Sequence, residues 1–342
     1  MFNSARCCLM LAALCLMCPS PSWGGASAGA AQPASKAAPE DANAQYERGV
    51  HHAKGLGMPR DLGAARSCFE QSAAQGHAEA QFRLGQFYEQ GLGGPQDYAA
   101  ARAWYKKAAL QGHAAAQYGL GFLYANGLGG SQDDAAARTW FEKSASQGFV
   151  FAQYSLGILY SKGRGGPQDY QLAKLWWEKA AAQGYASAQY NLAVLYARGR
   201  GVPKDDALAR HWYELAAEQG DVLAQNSLGV LCAQGRGGPQ DAEAARAWWE
   251  KAARQGYAPA QNNLGAMYAQ GQGVPQSFET AVHWWEKAAD QNDARAQFSL
   301  GIAYAQGLGV QKDIETARTL LEQACAGGEQ GACTAAKELP AH

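Results

Sequence analysis

Charge is what this sequence has least of. Lys, Arg, Asp and Glu make up 17% of the 342 residues and nearly cancel, leaving a formal net charge of −1. Arg6 is the one charge within residues 1–28, so the remainder carries −2. Such a chain has no basic field to hold a nucleic-acid backbone or an acidic membrane surface, and both partners are disfavoured. Long apolar runs are missing too. The longest, Cys7 to Cys18, is about a dozen residues, short of the roughly 20 that a membrane-spanning helix needs.

The usual signatures of catalysis are also lacking. Neither Gly-x-Ser-x-Gly nor Ser-x-x-Lys occurs, so no serine nucleophile is marked out. Glycine-rich turns such as Gly91 to Pro95 lack the Gly-Lys-Ser/Thr of a phosphate loop and follow helices, not strands. His51 and His52 stand next to each other, which on a helix points them about 100° apart. No carboxylate lies three or four residues on to join them as ligands. No metal site and no cofactor are expected.

What is present is a strict period. An Ala-Gln pair recurs at Gln45, Gln81, Gln117, Gln153, Gln189, Gln225, Gln261 and Gln297, each 36 residues from the last. A fixed period of this size marks a solenoid. The unit from Tyr185 to Gly220 reads YASAQYNLAVLYARGRGVPKDDALARHWYELAAEQG. Ala188, Leu192, Leu195 and Tyr196 follow helical spacing, and Gly199 sits where a left-handed C-cap belongs. Asp205 is placed to cap a second helix carrying Ala209, Trp212, Tyr213 and Ala216 on one face. Each unit is therefore a helix-turn-helix that buries its apolar face only by stacking on neighbours.

Reading the repeats as columns sorts packing from the rest. Four residues after each Gln stands Gly, or Ala193 once, which calls for a small side chain under a close neighbour. Six tryptophans (Trp104, Trp140, Trp176, Trp212, Trp248, Trp284) share one column and read as inter-repeat core rather than as sugar-stacking platforms. Asp61, Asp97, Asp133, Asp169, Asp205, Asp241 and Asp313 form a capping column. The Glu column (Glu142, Glu178, Glu214, Glu250, Glu286), usually followed by Lys, reads as a solvated outer face. The constant glutamines read as satisfying backbone groups between repeats.

The ends differ from the middle. Arg6, the apolar run and Ala26-Ser27-Ala28 have the form of a signal peptide over 1–28, with 29–42 a flexible Ala/Pro/Ser-rich leader and 43–342 the repeats. Export is expected, to periplasm or exterior, with no membrane insertion after cleavage. Four cysteines then remain. Cys325 and Cys333 fall eight residues apart across a helix-helix corner, where a disulfide closes a short loop in an oxidising compartment. Cys68 and Cys232 lie over four repeats apart and read as buried thiols.

The repeated unit resembles the Sel-one-like repeat, a relative of the tetratricopeptide repeat, from about Asn43 to the C-terminus. The resemblance implies an all-α, right-handed superhelical α/α solenoid of eight repeats with a C-terminal capping helix. It also implies bridges at the Cys325–Cys333 spacing, a concave face lined by first helices, and peptide or protein binding without catalysis. Some relatives are discussed as β-lactam-binding or β-lactamase-like cell-wall enzymes, which is the alternative function here. Two, five and nine residues after each Gln lie the variable positions of the first helix. Arg83, Lys162, Asn191, Arg198 and Asn263 are the candidate contacts, since amide and basic side chains hydrogen-bond an extended peptide. The expected protein is a monomer that binds a protein or peptide partner.

Overall fold

The computed structural model describes residues 41–340. Among these there are seventeen helices and no strand. The eight repeats each supply a leading and a trailing helix, from Ala42–Lys54 and Leu62–Ala74 to Ala294–Gln306 and Ile314–Ala326. A shorter helix, Gln330–Glu338, closes the array. Each helix packs mainly against its neighbours in the chain, so the fold is a solenoid. The signal-peptide reading and nearly all of the leader lie outside the described residues. The first helix already begins at Ala42.

Local chemistry sets the helix ends. Each leading helix stops at a glycine in the left-handed region, as at Gly91 (φ 68°), whose N–H bonds the Phe87 carbonyl. Each trailing helix starts at a capping side chain. Asp97 accepts from the N–H groups of Ala99 and Ala100, and Ser277 takes the same role in the seventh repeat.

Burial is unequal between the two helix types. Trailing helix Tyr98–Leu110 buries Ala101, Tyr105, Ala108 and Ala109, one narrow stripe. Leading helix Ala114–Asn126 is buried almost all round, at Ala116 to Leu123 and Ala125. The first leading helix has no repeat before it and buries only Gln45 and Gly49.

The small-residue column is explained by the trailing helix of the same repeat. A Cβ on Gly85 would come within 2.5 Å of the Tyr105 ring, and one on Gly121 within 2.7 Å of Phe141. The second aromatic of each pair is thus the core residue: Tyr105, Phe141, Trp177, Tyr213, Trp249 and Trp285 are all buried. This corrects the reading of the tryptophan column. Trp104, Trp140, Trp176, Trp212, Trp248 and Trp284 are half-buried at the edge of the core. Lysine ammonium groups lie over five of these rings, as Lys107 over Trp104 at 3.8 Å and Lys251 over Trp248 at 3.8 Å. The Glu column keeps its solvent contact, and four of its carboxylates pair with the basic residue one turn earlier, as Glu214 with Arg210 at 3.1 Å and Glu178 with Lys174 at 2.9 Å, while Glu286 is exposed.

The glutamines form a ladder along the array. Gln117 donates to the Ala109 carbonyl at 3.1 Å and accepts from Gln147 at 2.7 Å. The same pair of bonds recurs at Gln81, Gln153 and Gln225. Each glutamine thereby ties its repeat to the one before and buries its amide satisfied. At the far end Cys325 and Cys333 lie at disulfide distance, with Cα atoms 4.8 Å apart, joining the last two helices. Cys232 is buried and Cys68 half-buried.

Candidate binding surface

The variable side chains follow directly from the repeat. Leading helices are fixed by the ladder glutamine, the small residue and the leucines, so freedom is left on the flank between these anchors. Of the five candidate residues, Arg83 stands on Ala78–Gln90, Lys162 on Val150–Lys162, Asn191 and Arg198 on Ala186–Arg198, and Asn263 on Ala258–Gln270. They are spread over four helices instead of converging on one pocket. Lys162 and Arg198 are exposed, while Arg83, Asn191 and Asn263 are half-buried.

Two of them are engaged by neighbours. Asn263 donates to Asn226 Oδ1 at 3.0 Å, linking the sixth and seventh repeats. Arg83 pairs with Glu79 at 2.9 Å and reaches Gln86 at 3.4 Å. Glu79 also meets His113 Nε2 at 2.8 Å, and the His113 ring stacks on Phe82 with centroids 4.6 Å apart. Burial pushes the Glu79 carboxyl up, but His113 and Arg83 outweigh it and hold the group below its ordinary range. His77 and His113 also cap their helices through Nδ1, accepting from Ala80 and Ala116.

The second repeat holds residues that the column reading did not single out. Glu89 is buried and accepts from the Tyr105 hydroxyl at 2.5 Å. Gln86, one turn earlier, is 2% exposed and occupies a column that is otherwise Val, Ile, Phe or Ala. Those substitutions within one column were the available signal. In the fifth repeat the corresponding Tyr213 is also buried, and burial pushes its phenol up to about 12.

Among the described residues no group of three or more His, Cys, Asp or Glu could hold a metal ion, and no helix is long and apolar enough to cross a membrane. The two fully buried serines donate to backbone carbonyls, Ser72 to Ala42 and Ser144 to Ala114.

The sequence matches the Sel1 repeat eight times without a gap, at 42–77, 78–113, 114–149, 150–185, 186–221, 222–257, 258–293 and 294–329. The chain belongs to the Sel1-repeat family. Among solved structures it is similar to a protective antigen of uropathogenic Escherichia coli displaying an SLR fold, at 36% identity and TM-score 0.82. That match covers 86% of this chain and 64% of the antigen, so the chain spans less than two thirds of the antigen's length. It is also similar to a Sel1 repeat protein from Oxalobacter formigenes, at 35% identity and TM-score 0.70, covering 88% of each chain. No curated protein matches the sequence.

Proposed function

We propose that this Sel1-repeat protein is an exported, non-catalytic scaffold that binds a protein or peptide on the concave face formed by its leading helices. The observation that carries this reading is the division of labour within each repeat. Ladder glutamine, glycine, caps and core aromatics hardly vary along the chain, while the leading-helix flank changes from repeat to repeat. A surface that varies on an invariant frame suits reading a partner's side chains one repeat at a time. Arg83, Lys162, Asn191, Arg198 and Asn263 are its proposed contacts, the exposed Lys162 and Arg198 at its open edge. The similarity to an E. coli antigen supports an exported location.

The test is a crosslinking pull-down from native cell envelope. It compares the mature chain with a variant carrying Arg83→Glu, Asn191→Ala, Arg198→Glu and Asn263→Ala. A partner held by the first and lost by the second, at unchanged helical content, supports the scaffold and maps its face. Equal capture by both moves the binding surface elsewhere. If neither captures a partner and a labelled β-lactam acylates the chain, the scaffold reading gives way to the enzyme alternative.

A further inference from the structure

The position eight residues after the ladder glutamine is occupied by Ala53, Ala125, Ala197, Ala233, Ala269 and Ala305, by Ser161 once, and by Glu89 once. Glu89 is 4% exposed. A carboxylate taken out of water is costly unless a cation and hydrogen bonds replace its hydration. Here Tyr105 supplies one hydrogen bond, to Oε2, and Oε1 accepts none from the described residues.

Among the described residues no cation pairs with it. On its own helix Arg83 is engaged by Glu79. On the trailing helix Tyr98–Leu110, Arg102 lies over the Tyr124 ring at 3.6 Å, Lys107 lies over Trp104, and Lys106 is exposed. The next leading helix, Ala114–Asn126, carries no charged residue at all. On the preceding trailing helix Arg66 pairs with Glu70 at 3.2 Å. Arg83 is matched by Glu79, and among the described residues Glu89 has no counter-ion. Burial raises its carboxyl, opposed only by the Tyr105 hydrogen bond.

The surroundings fit a cation. Gln86 lies one turn before Glu89 on the same helix, its amide oxygen facing Arg83. Phe82, one residue after the ladder glutamine, is 7% exposed and its ring centroid lies 5.8 Å from that of Tyr105. An ammonium or guanidinium donating to Oε1 would provide the missing charge, and in a poorly hydrated setting such a charge-assisted bond is strong.

We propose that Glu89, held by Tyr105 beside Gln86, is a recognition point for a cationic side chain, arginine or lysine, of the bound partner. This rests on the scaffold reading and adds to it the chemistry of one partner position.

The experiment titrates the mature protein with N-acetyl-arginine methylamide and, separately, the lysine and glutamate analogues, by calorimetry near neutral pH. Wild type, Glu89→Gln and Tyr105→Phe are compared, with circular dichroism confirming that each is folded. The expected result is saturable binding of a cationic probe, weakened about tenfold or more by Glu89→Gln, weakened less by Tyr105→Phe, and absent for glutamate. Equal affinity in Glu89→Gln, or no saturable binding of either cationic probe, overturns the proposal. A partner still captured from the envelope by Glu89→Gln would then leave the scaffold reading intact, so the two fail separately.

Discussion

Arg164 forks onto Asp134, thirty residues earlier in the chain. Its Nε and Nη2 donate to the two carboxylate oxygens at 2.9 and 2.5 Å, and Nη2 also reaches the Ala125 carbonyl at 2.8 Å. Arg236 grips Asp206 in the same way, two repeats on. The bonded turn of one repeat is thereby locked to both helices of the repeat before. The Arg164 hydrogen bond holds the Asp134 carboxyl below its ordinary value of 3.8. A carboxyl depressed in the folded state contributes stability that is complete above the ordinary value and is lost as pH falls through the lower, folded one. A double-mutant cycle with Asp134→Asn and Arg164→Gln should give a coupling of about 1 kcal/mol at pH 7, vanishing in strong acid, by chemical denaturation.

The glycine column predicts a cost with a partial cure. Gly157→Ala drives a methyl into the Trp177 indole and should lower stability by about 1–3 kcal/mol. The fifth repeat pairs Ala193 with Tyr213 and folds around both. Adding Trp177→Tyr to Gly157→Ala should recover part of the loss, whereas Trp177→Tyr alone should not stabilise the protein. Thermal unfolding of the three variants decides it.

Breaking the glutamine ladder unpairs a buried carbonyl and the amide of an exposed cap residue. Gln117→Leu keeps the volume but strips a donor from the Ala109 carbonyl and an acceptor from Gln147. The expected loss is about 1–3 kcal/mol. Amide hydrogen exchange should show it first at the junction of the second and third repeats. Uniform protection loss along the whole chain would contradict a local tie.

Glu89 makes a pH signature of opposite sign to that of Asp134. Its carboxyl is raised above the ordinary 4.5, so the folded protein binds this proton more tightly than the unfolded chain does. The cost to folding is present above the folded value and disappears as pH falls below the ordinary one. Glu89→Gln should therefore melt higher than wild type at pH 7 and level with it near pH 4.

The terminal staple acts locally. Replacing Cys325 and Cys333 with Ser should free the helix Gln330–Glu338, worth about 2–3 kcal/mol by loop entropy. Exchange of its amides should quicken while the first seven repeats keep their protection.

Much of this architecture was legible from spacing alone. Gly91 and Asp97 announced a helix end and a helix start because each side chain has one conformational or capping role that needs no distant partner. Trp104 and Tyr105 show where that reading stops. Adjacent helical positions point about 100° apart, so one faces the core and the other its edge, and composition favours neither. Asp134 and Arg164 were hidden for a different reason. Their pairing emerges only when two columns are compared one repeat out of step: Leu62 faces the turn of Leu92, Tyr98 that of Leu128, Asp134 that of Arg164. On the candidate surface, Arg83 and Asn263 stood out as basic and amide side chains in a variable column. Glu89 lay one residue outside the columns read, and its burial depends on Tyr105 from the other helix.

That offset pairing governs how the array can change length. The glutamine bonds are the same at nearly every seam, so excising any whole internal unit would reseal them. The ionic seam is less tolerant. Losing residues 150–185 would bring Arg200 opposite Asp134 and keep an Arg–Asp contact, whereas losing 222–257 would set Gln272 against Asp206 and strand a carboxylate. Duplication and loss of repeats, the ordinary route by which such genes grow and shrink, is therefore nearly silent at some boundaries and costly at others.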